Sequence, residues 1–228
     1  MCGRYTFIAP PGLIEERFEA TMADDFPATY NAAPSQQLPI ITNAAPQQVQ
    51  LVQWGLVPSW VKDRTSGPQP INARAETLAE KPSFRQLLQR RRCLVLADSF
   101  YEWQEKAAHG LPAKTPHRFL LRSGEPYAFA GLWDEWVDRD SGEVLPTFTI
   151  ITTSPNALMQ PLHHRMPVIL QGRAAERAWL DDAVSAAEHQ LLLKPYPAEQ
   201  MQEYVVSKLV NSPAHNSPEV LEPAAAGQ

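Results

Sequence analysis

Cys93-Leu94-Val95-Leu96-Ala97, running directly into Asp98-Ser99-Phe100-Tyr101-Glu102-Trp103, is the stretch whose reading decides the fold. Its first five residues are an apolar run with the length of a buried strand. Just upstream, Ser83 is placed to cap a short helix whose Phe84, Leu87 and Leu88 share one face. That helix ends in Arg90-Arg91-Arg92, whose cations suit the negative end of a helix dipole. Downstream, residues 119–121, 127–130, 131–136 and 148–153 read as further strands, with a polar loop at 104–116 and a turn at Arg139-Asp140-Ser141-Gly142. Residues 48–57 add an earlier strand. A first helix over 13–18 is entered through Pro10-Pro11-Gly12, and helical segments lie within 174–193. Strands and helices do not alternate as βαβ units would, so the class is α+β. Twenty-two prolines point to many turns and short strands.

With 228 residues the chain can bury a substantial core, and one domain over 1–212 is expected, followed by a loose Pro/Ala-rich tail over 213–228. The formal charge of -5 argues mildly against a nucleic-acid partner. A local basic face would suffice, however, and Lys62, Arg64, Arg74, Lys81, Arg85, Arg90, Arg91 and Arg92 gather in one central stretch. No basic start followed by an apolar run marks a signal peptide, and no stretch has the length of a membrane span. Two cysteines make neither a disulfide framework nor a metal site, which implies free thiols in a reducing cytoplasm, with no cofactor or metal.

Four segments carry chemistry. In Met1-Cys2-Gly3-Arg4, the small residue at position 2 favours removal of Met1. Cys2 would then carry an α-amine of pKa about 7.7–8.0 beside a thiol of pKa about 8.5. An aldehyde can form an imine with the amine, and the thiol can close it to a thiazolidine. Position 2 alone decides nothing, since a cysteine there is commonly accidental. Ile71-Asn72-Ala73-Arg74-Ala75-Glu76 leaves a proline-broken loop and offers an amide and a phosphate-forking guanidinium, unless Arg74 simply pairs with Glu76. Glu102 sits among aromatics, either half-buried with a raised pKa as a general acid–base or exposed at a strand end; local pattern leaves both open. In Leu162-His163-His164-Arg165-Met166-Pro167, one histidine handling protons and a structural histidine are equally open, and adjacent histidines seldom converge on one metal.

Taken in order, Met1-Cys2-Gly3-Arg4-Tyr5, Tyr30-Asn31-Ala32-Ala33-Pro34, Trp54-Gly55-Leu56-Val57-Pro58-Ser59-Trp60, Ile71-Asn72-Ala73-Arg74-Ala75-Glu76, Phe100-Tyr101-Glu102-Trp103, Thr152-Thr153, His163-His164-Arg165-Met166-Pro167 and Val206-Ser207-Lys208-Leu209-Val210-Asn211 span nearly the whole chain. Together they resemble the SOS response-associated peptidase (SRAP) family. The resemblance implies a compact α+β domain with curled, mostly antiparallel sheets and short flanking helices around a groove for single-stranded DNA. It implies covalent linkage of Cys2 to the ring-opened sugar of an abasic site. Asn72 would position that sugar and Arg74 the adjoining phosphate. Glu102 would act as acid–base, and His163 would assist sugar opening and crosslink reversal. Arg4, Asn31, Pro34, Trp60, Phe84, Arg85 and Thr152 would line the groove, with Trp60 and Phe84 stacking or wedging. A departure from some relatives is Val61 after Trp60, where they carry a second tryptophan. The partner implied is abasic single-stranded DNA, bound by a monomer with no membrane role. Two other activities stay open: a thiol peptidase removing its own Met1, and a non-covalent reader of damaged or modified single-stranded DNA.

Overall fold

The computed structural model describes all residues except 1, 24–25, 66, 108–109 and 225–228. Twelve named strands and four α-helices follow one another as β1 (Arg4–Phe7), α1 (Pro11–Phe18), β2 (Thr29–Ala32), β3 (Gln37–Thr42), β4 (Ala45–Trp54), β5 (Asn72–Arg74), α2 (Pro82–Arg90), β6 (Arg92–Ala97), β7 (Ser99–Trp103), β8 (Pro116–Leu121), β9 (Tyr127–Val137), β10 (Val144–Thr153), β11 (Met166–Pro167), α3 (Gly172–Leu180), α4 (Ala186–Leu192) and β12 (Met201–Val205). The strand pairings β10–β4–β3–β6–β9–β10 return to their starting point and close a five-stranded barrel, parallel only between β4 and β10. β5 and β11 extend it along the two edges of β10. A separate antiparallel sheet runs β12-β8-β7-β1-β2. Barrel closure hides edges that would otherwise invite pairing with other chains.

The quoted stretch is the hinge between these two bodies. β6 lies in the barrel, β7 lies in the sheet, and Asp98 alone separates them. Asp98 accepts hydrogen bonds from the amides of Ile8 and Ala9, while its own amide donates to Thr6, so the crossing is pinned. Aromatic rings lock sheet to barrel. Phe100 stacks on Phe119 at 5.0 Å and meets Phe129 edge-on at 6.0 Å, and Tyr5 contacts Trp54 at 5.4 Å. The expected strands 127–130 and 131–136 are one strand, β9. Gly131 at its centre admits the close approach of neighbouring strands, since a Cβ there would lie 2.8 Å from Cys93 Sγ.

Three expectations are corrected. Ser83 does not cap α2: the cap position is Lys81, with Pro82 starting the helix, so the fixed φ of proline does that work. Arg92 is not a helix-end surface cation but the first residue of β6, wholly buried. It donates to the carbonyls of Leu88, Gln89, Trp179 and Asp181 and pairs with Asp182, serving the ends of α2 and α3 together. Arg92→Met is therefore expected to cost about 1–3 kcal/mol by leaving those carbonyl acceptors unmet; urea unfolding would measure it, and a change within about 0.5 kcal/mol, as is usual for surface sites, would refute this account. Finally, residues 213–224 are not loose. Asn216 Oδ1 accepts from the amides of Tyr30 and Asn31, Val220 is buried in a cluster with Tyr101, Val206 and Val210, and the Ala224 amide donates to Val205 O. The proline-rich composition concealed side-chain anchors; residues 225–228 lie outside the described residues.

Candidate active site

Period-two alternation along β7 sorts its side chains. Tyr101 and Trp103 face the segment that follows β12, while Phe100 points into the aromatic core. Glu102 continues the Phe100 row and is only 3% exposed. The exposed-strand-end alternative therefore fails. Desolvation holds its carboxyl above the usual carboxylate range. β1 pairs with β7 in the register Arg4↔Tyr101, so the residues ahead of Arg4 run beside Glu102. Cys2 is wholly buried there, and burial, reinforced by the Glu102 carboxylate, pushes its thiol far up. Met1 lies outside the described residues.

His163 arrives from the other side, on the turn that precedes β11. Its Nε2 lies 3.8 Å from Glu102 Oε2 and 3.3 Å from Glu105 Oε1. The backbone of Arg165 offers Nδ1 both an amide donor at 3.0 Å and a carbonyl acceptor at 3.1 Å. The ring can thus be held neutral or protonated without moving. Burial lowers its pKa and so favours the neutral ring. Glu105 had no local signal in the sequence; the bond from its amide to Leu162 O at 2.9 Å folds it onto the histidine turn. It also bonds His164 Nδ1. Glu105, His163 and His164 place ligand-type atoms within 4.8 Å of one another. The two rings nevertheless stack at 21°, so their in-plane lone pairs run nearly parallel instead of converging on one ion.

Asn72 opens β5, secured by Ile150↔Asn72 pairing and by Trp54 Nε1 donating to Ile71 O at 2.9 Å. Its Nδ2 donates to Ile71 O, while Oδ1 is buried with no hydrogen-bond partner among the described residues. Leaving such an acceptor unmet costs about 1–3 kcal/mol, which a ligand hydroxyl would relieve. The suspected Arg74–Glu76 pair is absent from the structure. Glu76 is forked onto Arg165 at 2.8 and 2.9 Å, and Arg74 stays exposed with no ion pair among the described residues.

The remaining expected groove residues divide by burial. Trp60 is 61% exposed on a turn held by Val61 N→Pro58 O, and shares a shallow cleft with Pro82, Gln86, Arg90 and Arg91. Arg85 is exposed on α2, and Pro34 is half-buried. Phe84, by contrast, is buried in the core, and withdrawing it to wedge between bases would forfeit about 1.5–3 kcal/mol. Asn31 and Thr152 are fully buried. Asn31 donates to the carbonyls of Ser212 and His215 and accepts from Arg4, which itself donates to Val210 O and Asn211 O. Arg4 and Asn31 therefore latch the C-terminal segment, and Thr152 anchors Arg165.

A family model described as SOS response associated peptidase (SRAP) matches residues 1–213. The chain is 45% identical over 227 residues to abasic site processing protein YoqW of Bacillus subtilis (strain 168), covering 97% of this chain and 99% of that one. It is 34% identical to abasic site processing protein HMCES of Gallus gallus, covering 87% and 67% respectively. A crystal structure of a protein from Bacteroides thetaiotaomicron superposes with a TM-score of 0.86 at 31% identity, covering 98% of this chain and all of that one.

Proposed function

This chain belongs to the SOS response associated peptidase (SRAP) family, and from that premise we propose that it processes abasic sites in single-stranded DNA by bonding Cys2 covalently to the opened sugar. The observation that carries this reading is the shared burial of Cys2, Glu102 and His163, with His163 Nε2 3.8 Å from Glu102 Oε2 and burial favouring the protonated thiol and the neutral imidazole. Proton-bearing neutral groups suit the steps required. A closed abasic sugar opens when a proton reaches its ring oxygen and another leaves its anomeric hydroxyl, and Glu102 with His163 can supply and accept these. Loss of Met1 makes the Cys2 nitrogen an α-amine. That amine adds to the aldehyde carbon and expels one water, leaving an imine. The S–H of Cys2 then adds across the C=N bond: sulfur bonds carbon, and the proton passes through Glu102 to nitrogen. The five-membered ring forms with no further loss, and the reverse order releases the DNA.

Asn72 Oδ1 is an unspent acceptor for a sugar hydroxyl, and Arg74 an unspent cation for the adjoining phosphate. Phosphate and stacking contacts make binding indifferent to sequence.

Intact mass before and after incubation with a single-stranded oligonucleotide bearing one abasic site tests this. A protein lacking Met1 that gains the oligonucleotide's mass less one water supports it; reversible binding without an adduct favours the reader activity and overturns it. Trp60→Ala is expected to weaken binding to undamaged single strands by about 1–3 kcal/mol through lost stacking, read by fluorescence anisotropy at fixed salt. Unchanged affinity would remove Trp60 from the interface. No helix among the described residues is long and apolar enough to cross a membrane.

A further inference from the structure

Glu102 is the proton-handling group of the reaction proposed above, yet at 3% exposure it has almost no direct access to water. It must nevertheless regain its starting protonation state after each crosslinking or reversal event. His163 Nε2 stands between this carboxylate, at 3.8 Å, and the Glu105 carboxylate, at 3.3 Å. The side chain of Glu105 is 40% exposed, and His164, 61% exposed, bonds the same oxygen. One nitrogen thus faces a buried carboxylate on one side and a solvent-facing carboxylate on the other.

Resting on that reading of the site, we infer that Glu105 is the solvent-side end of a proton path that runs from Glu102 through His163. A proton leaves Glu102 Oε2 for His163 Nε2, and the imidazolium is held by its Nδ1–H donating to Arg165 O. The same proton then passes from Nε2 to Glu105 Oε1 and on to water, returning by the opposite sequence. No group is consumed, and the ring needs only a small libration between its two partners. The bond from Glu105 N to Leu162 O fixes the outer carboxylate against the histidine turn, and His164 Nδ1 orients it. Glu105 is a positioning residue in this scheme: it touches His163 and not the sugar.

Among the described residues, the titratable and charged groups facing His163 include Glu102 from β7, Glu105 from the following loop, and His164 and Arg165 from its own turn; the Arg165 guanidinium is turned away onto Glu76 and Thr152. On β8, His117 is opposite Glu102 in register, and its Nδ1 is engaged by Glu203. The negative charge of Glu105 raises the His163 pKa against burial, so removing it moves the His163-dependent limb of the pH–rate profile to lower pH.

The experiment follows the rate of adduct formation on an abasic single-stranded oligonucleotide in dilute buffer, with the whole chain carrying Glu105→Gln or Glu105→Asp. Glu105→Gln is expected to be slower by on the order of tenfold, restored by high concentrations of acetate as a diffusible proton carrier, with the shifted pH limb. Glu105→Asp should keep most of the rate. Wild-type speed in Glu105→Gln overturns the path while leaving the crosslinking reaction intact. A slow variant that acetate does not rescue, with an unmoved pH limb, reduces Glu105 to a structural prop and overturns it as well. Failure of the wild-type protein to form any adduct overturns the crosslinking reaction itself, and the path with it.

Discussion

With Cys2 replaced by alanine, an abasic single strand is expected to yield no heat-stable adduct, although the strand should still bind. The variant keeps an α-amine once Met1 is removed, so an imine can form, but it hydrolyses on denaturation. Ring closure by the thiol is what makes the link durable, and intramolecular reactions of this kind reach effective molarities of about 10⁵–10⁸ M. Borohydride should therefore trap an adduct from Cys2→Ala that heat would otherwise destroy. The matching control is Cys93→Ala. Cys93 is also buried, but it packs inside the barrel against Gly131, and crosslinking should be unchanged. A heat-stable adduct from Cys2→Ala without reductant would exclude the thiazolidine.

Glu102→Gln is expected to lose about 10²–10⁴-fold in crosslinking rate, the usual worth of a positioned acid–base, while gaining stability at neutral pH. Burial raises the pKa of this carboxyl in the folded protein, so the folded state holds the proton more tightly than the unfolded chain. Its favourable contribution is complete below the unfolded value of about 4.3, and it is lost as pH rises through the raised folded value. Above that window the native protein carries a poorly solvated charge that glutamine, of the same shape, lacks. Melting curves should place Glu102→Gln above wild type at pH 8 and bring the two together near pH 4. A slow variant with no gain at pH 8 would mean that Glu102 is well compensated when ionised. Such a trade of stability for reactivity is common where a charge is buried for chemistry.

Much of the architecture was legible because it depends on local pattern. The apolar run Cys93–Ala97 read as a buried strand and the Phe84/Leu87/Leu88 stripe as one helix face, as the structure shows, and the non-alternating order of elements favoured α+β over βαβ units. The β9–β10 hairpin follows from the turn at 139–142, but barrel closure was not legible, because the parallel β4–β10 pairing joins segments far apart in sequence with no register signal. The C-terminal anchors escaped for a related reason. Asn216 and Val220 act on Tyr30, Asn31 and Tyr101, far away in sequence.

By itself the sequence determined the element types, the α+β class and the family resemblance, and through that resemblance it singled out Cys2, Glu102 and His163 as the proposed reactive groups. These follow from side-chain chemistry and from periodicities of two and 3.6 residues, which are local properties. Only the tertiary structure decided what those groups are in practice. It buried Glu102 by making it the next inward residue after Phe100, kept the Cys2 thiol protonated, and set His163 between two carboxylates. It also tied Arg4 and Asn31 to the C-terminal segment and packed Phe84 into the core, while leaving Trp60, Arg74 and Arg85 exposed. Burial and proximity arise when distant strands meet, and a side chain's charge state depends on the dielectric and the neighbours it meets there.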